Sequence, residues 1–176
     1  MLFRSTSGTT HGGTTLTITG TGFITGASAK VGSLSLESVV VDSPTQITAV
    51  TPETNNAGTF DITVTTSGGT SDIVGTVNDY TYVVGGVTVT SSTNASVPQG
   101  KSNHTVTING TGFRTGAGVT VSGVGVTVGT VTFVNSTQLT AVVSVAQGAA
   151  VGDRSITVTN LDTGTATLAE IGRAHV

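Results

Sequence analysis

Along residues 15–19 the side chains alternate: Leu16 and Ile18 point one way, and Thr15, Thr17 and Thr19 point the other. A period of two marks a half-buried β-strand, with its apolar members turned to a core and β-branched threonines on the wet face. The same scheme recurs where Ile62 and Val64 alternate with Asp61, Thr63 and Thr65, and again at Val106 and Ile108 and at Ile156 and Val158. Between these segments lie shorter apolar runs, ESVVVDS, VTVSG, GTVTFVNS and TYVV, punctuated by Gly, Asn, Ser and Pro. No stretch carries a helical period. Many short strands separated by turn residues predict an all-β fold built as sandwiches of antiparallel sheets.

The pattern also repeats as a whole. LTITGTGFITGA begins at Leu16 and VTINGTGFRTGA at Val106, 90 residues later; TQITAV at Thr45 returns as TQLTAV at Thr137, 92 later; ITVT at Ile62 returns at Ile156, 94 later. Three anchors in one order, with a slowly growing offset, describe two copies of one domain with small insertions in the second. Val83-Val84-Gly85-Gly86-Val87 reads as the junction, so the domains are expected at residues 6–84 and 85–170, with a linker too short to leave them independent.

Composition narrows the chemistry. Hydrophobic residues make up 36% and charged residues 9% of the chain, too apolar for a disordered tail. The net charge of −3 offers no basic footprint for a phosphate backbone, so nucleic acid is not an expected partner. With no cysteine, disulfides, thiolate metal sites and thiol nucleophiles are excluded together. No apolar run approaches the roughly 18 residues of a membrane-spanning helix.

A strand running into Gly20-Thr21-Gly22 raises the possibility of a phosphate-binding loop. Such a loop needs a helix to begin within it, and a third glycine where Thr25 and Thr115 stand; the strand-like AKVGSLSL follows instead. The expectation is therefore structural: Gly20 and Gly22, like Gly110 and Gly112, supply backbone freedom at a strand end, and Phe23 and Phe113 drop into the cores. No catalytic residue and no cofactor is predicted. Glu37, Asp42, Glu53, Asp61, Asp72 and Asp79 are spread singly over repeat 1 and read as solvated surface rather than a glycosidase pair, while Lys101, Arg114 and Arg154 balance Asp153, Asp162 and Glu170 in repeat 2. Asp72, Asn78 and Asp79 are the best oxygen ligands for calcium, without the spacing of a loop that binds it. His11 and His104 are expected in exposed loops. The aromatic residues suit cores better than a sugar platform: Phe23, Phe60, Phe113 and Phe133 lie at strand anchors, and Tyr80 and Tyr82 face inward. Asn94, Asn103, Asn109 and Asn135 begin Asn-x-Ser/Thr sequons that matter only in a eukaryotic secretory pathway.

The blocks SGTTHGGTTLTITGTGF, SPTQITAVTPETNNAGTFDITVTTSGGTS and NDYTYV resemble, in order, those of an IPT/TIG domain, an immunoglobulin-like β-sandwich, and the second repeat resembles a more divergent version. The resemblance implies a non-catalytic structural or adhesive module at the cell surface or outside the cell of a bacterium, its partners being other domains of the same longer chain and a glycan or protein at the surface. The alternative it implies is an accessory carbohydrate-binding or spacer module of a secreted polysaccharide-active enzyme.

The ends read differently. CTC TTC CGA TCT encodes Leu2 to Ser5, and ATC GGA AGA GCA CAC GTC encodes Ile171 to Val176; both resemble a sequencing adapter and its reverse complement, so residues 1–5 and 171–176 are expected to be foreign. Against the family pattern the first domain then lacks its first strand and the second its last, because Tyr80 lies 18 residues beyond Ile62 and the matching position beyond Ile156 falls in the foreign tail.

Overall fold

The computed structural model describes residues 2–3, 6–72 and 78–171. The chain divides into two units, residues 1–85 and 86–176. Among the described residues all regular structure is β.

In the first unit, β1 (Leu2–Phe3), β3 (Thr15–Thr19), β7 (Gln46–Val50) and β6 (Glu37–Ser43) form one sheet in the order β1-β3-β7-β6. Facing it are β2 (Ser7–Thr9), β10 (Asp79–Val83), β8 (Gly58–Thr66), β4 (Ser28–Val31) and β5 (Leu34–Ser35), in that order, with β9 (Gly69–Thr70) paired on the end of β8. The β2–β10 pairing is parallel and the others are antiparallel. Leu16, Ile18, Ile47 and Ala49 from one sheet meet Val31, Ile62, Val64, Tyr80 and Tyr82 from the other in one core. Their threonine neighbours stay on the outer face, where Thr59 and Thr81 join hydroxyls at 2.9 Å across strands.

The second unit repeats the arrangement. One sheet runs β11 (Thr88–Thr93), β12 (His104–Thr111), β15 (Gln138–Val145), β14 (Val126–Asn135), and the other β13 (Gly118–Val121), β16 (Arg154–Thr159), β17 (Thr165–Ile171). Val106, Ile108, Leu139 and Ala141 pack against Val119, Ile156 and Val158. Each unit therefore has its own core, and burying each large aliphatic side chain contributes about 1.5–3 kcal/mol.

At the edges, β1 pairs with β3, β2 with β10 and β17 with β16. The two copies return to the sheet over different lengths of chain: Tyr80 lies opposite Phe60, and Ile171 lies opposite Arg154. Of the segments read as foreign, Met1, residues 4–5 and residues 172–176 lie outside the described residues, as do Arg173 and His175.

Candidate functional site

The repeated glycine loop is the sequence feature closest to a ligand-binding element, and its hydrogen bonds say what it does. Gly20 N donates to Thr45 O and Phe23 N to Pro44 O, both at 3.0 Å; in the second unit Gly110 N donates to Thr137 O and Phe113 N to Ser136 O at the same distances. Two amides of each loop are thus spent on the turn preceding β7 or β15 rather than left to an anion. Gly22 and Gly112 sit at φ +74° and +72°, a left-handed conformation that favours glycine. At Gly20 a Cβ would stand 2.7 Å from Phe23 Cζ, and at Gly110 2.6 Å from Phe113 Cζ, so each ring lies on a bare Cα. Phe23 and Phe113 are buried. Gly22 and Gly112 thus supply a left-handed turn, whereas Gly20 and Gly110, which are not at positive φ, make room for the ring that follows.

The copies diverge beside that turn. In the second unit Arg114 is buried with its Nη1 3.3 Å from Asp162 Oδ2. Asp162 Oδ1 accepts from Gly164 N at 3.0 Å. Asn160 Oδ1 accepts from Arg114 N at 3.2 Å, and Asn160 Nδ2 donates to Gly112 O at 2.7 Å. A polar staple therefore ties the loop after β12 to the β16–β17 hairpin. At the equivalent place in the first unit stands Ile24, 46% exposed, and a groove of about 660 Å³ opens between Gly20–Phe23 and the β8–β9 hairpin. Asp72 and Asn78 border it. Residues 73–77, between them in the sequence, lie outside the described residues.

Several residues sit elsewhere than the sequence suggested. Arg114 and Asp162, read as balancing surface charge, form the buried pair; the one hint was that Arg114 replaces Ile24 between otherwise matching loops. The calcium candidates do not converge, because Asn78 is buried with its Nδ2 on Asp72 O at 3.2 Å, while Asp79 begins β10 opposite Asp61. Among the described residues no group of three or more His, Asp or Glu side chains is placed to hold a metal. His11 is not in open solvent: its Nε2 is buried against Gly85, where a Cβ would stand 2.2 Å away. His104 belongs to β12, with Nε2 2.7 Å from Asn94 O. Phe133, assigned to a core, is 36% exposed because it lies on β14 at the sheet's edge. Tyr80 and Tyr82 are buried with ring centroids 5.0 Å apart, and Phe60 packs edge-on to Tyr82 at 6.1 Å. Tyr82 Oη donates to Pro52 O at 2.9 Å, and burial, reinforced by Tyr80, pushes its pKa up to about 12.

Two facing sheets, a shared inner core and a β3–β7 to β8–β10 layout repeated in the second unit define an immunoglobulin-like β-sandwich module. Residues 3–82 match the family model described as the IPT/TIG domain, so the first unit is an IPT/TIG domain. No curated protein sequence matches the chain. Among solved structures, the adhesin InvE of Yersinia pseudotuberculosis is similar with a TM-score of 0.54 at 15% identity, over 99% of this chain and 58% of that one. The full extracellular region of Plexin A4 gives 0.44 at 16% identity, over 89% of this chain and 14% of that one. SGBP-B from a complex xyloglucan utilization locus in Bacteroides uniformis gives 0.35 at 16%, over 92% and 46%. The chain thus spans less than two thirds of each, and the likeness to InvE is one of fold.

Proposed function

We propose that the chain is a non-catalytic spacer and adhesive module of an extracellular or cell-surface protein, made of two tandem immunoglobulin-like domains of which the second is a divergent IPT/TIG domain. The observation that carries this reading is the internal use of the Gly20, Phe23, Gly110 and Phe113 amides in the two copies. The element best suited to hold a small anion closes a core instead, and what each unit offers to its surroundings is outer sheet face and strand edge. The fold shared with an adhesin supports the same reading. Its partners are then further domains of a longer chain and a protein or glycan at the surface, met through those faces and edges rather than through a deep pocket.

Single-molecule stretching tests the mechanical half of the proposal. A spacer of two independently cored units unfolds in two separate events, each releasing roughly 250–300 Å of chain for the about 85 residues of a unit. Extension without discrete events, or hydrolysis of neutral polysaccharides by the purified chain, would overturn it.

A further inference from the structure

We infer that β14 is a pairing edge, and that its occupant is β14 of a second copy, antiparallel about a two-fold axis through Thr132. Among the described residues β14 is hydrogen-bonded to β15 on one side and to no strand on the other, so one row of its backbone N–H and C=O groups is left to an added strand. Its ten residues hold no charge and no proline. The corresponding edge in the first unit, β6, carries Glu37 and Asp42 within seven residues, and pairing two copies there would gather four carboxylates along one seam. Charged side chains are a common guard on a free edge, and β14 has none.

The register follows from the ladder. Shifts between Val128 and Val131 and between Phe133 and Asn135 leave two regular stretches, Val126–Val128 and Val131–Phe133, and the second lies on a continuous threonine row. Thr132 ends an outward row that crosses all four strands, Thr93 opposite Thr107, Thr107 opposite Thr140, and Thr140 opposite Thr132. A two-fold at Thr132 continues that row into the second copy. On the inner side it sets Phe133 of each copy opposite Val131 of the other. Phe133 lies across from the buried Leu139, on the core side of the sheet, yet remains 36% exposed; a strand beyond β14 would cover it. Aromatic against β-branched is a favourable cross-strand pair. With only a short regular stretch between bulges, the dimer is weak and isologous.

Sedimentation equilibrium of the full chain is expected to show mass rising reversibly from monomer towards dimer between ~10 µM and ~1 mM, the range suited to a small interface. Thr132→Lys, at an exposed position, should weaken the dimer at least tenfold with unchanged circular dichroism, while Val40→Lys on β6 leaves it intact. Because the chain has no cysteine, Thr132→Cys gives an independent reading: opposite positions place the two Cβ atoms about 4.5–5.5 Å apart, so mild oxidation should yield a covalent dimer that Val40→Cys does not. A chain that stays monomeric up to ~1 mM overturns the inference. So does a dimer that survives Thr132→Lys, or equal cross-linking of the two cysteine variants.

Discussion

Alanine at the first glycine of each loop should be tolerated very differently in the two units, although the sequences around Gly20 and Gly110 are nearly the same. At Gly20 the added methyl would meet only the tip of the Phe23 ring, at 2.7 Å, and a side chain can swing aside. At Gly110 it would also stand 1.9 Å from Thr88 O and 2.9 Å from Thr88 C. Those are backbone atoms of β11, held by the pairing of Thr88 with Thr111 and Val89 with Gly110. Ordinary carbon–oxygen approaches are ~3.3 Å or more, so the strand itself would have to move by over an ångström. Overpacking against a flexible ring costs about 1–2 kcal/mol, and displacing a ladder strand about 3 kcal/mol or more. For a domain of this size each kcal/mol lowers the melting temperature by roughly 4–8 °C. The two tyrosines, Tyr80 and Tyr82, both lie in the first unit, so their fluorescence follows that unit alone while far-ultraviolet circular dichroism follows both. Gly20→Ala should lower the tyrosine-detected transition modestly. Gly110→Ala should leave it in place and bring the remaining dichroism transition down by at least twice as much. Equal shifts in the two variants would refute the reasoning, because they would mean that β11 does not constrain Gly110.

The buried pair and the buried tyrosine yield two further tests. Removing one partner alone, Asp162→Ala, leaves the Arg114 charge without its carboxylate and should cost the second unit about 3–5 kcal/mol, while Arg114→Leu with Asp162→Leu should cost clearly less; chemical denaturation of both variants checks the difference, and equal losses would count against the pair. Tyr82, with its folded pKa raised from the ordinary 10.0 to about 12, favours the folded state fully below pH 10 and loses that contribution as pH rises to about 12. Thermal melts followed by tyrosine fluorescence should therefore hold steady up to pH 10 and fall above it; a melting temperature that does not fall between pH 10 and 12 would contradict the raised Tyr82 pKa.

Much of this molecule is legible because its logic is local. Alternation in the segments 15–19 and 62–65 depends only on neighbouring residues, so the strands and the inward Tyr80 and Tyr82 can be read along the chain. The Arg114–Asp162 pair cannot, since its members lie 48 residues apart and meet only when the loop after β12 and the β16–β17 hairpin converge. Phe133 shows the same limit: it occupies an inward position by period, and it is exposed because no strand among the described residues pairs beyond β14, which no local pattern records.

By itself the sequence determined the all-β class, the tandem repeat and the Gly-x-Gly-Phe turn, because side-chain period, repeat spacing and glycine placement are properties of the chain as written. Only the tertiary structure decided which strands form the edges, that β17 runs along β16 from Thr165 to Ile171, and that one copy of the sandwich closes its end with a buried ion pair while the other leaves a groove. Those outcomes depend on which distant segments come to lie side by side, and that is settled by packing two sheets over a common core.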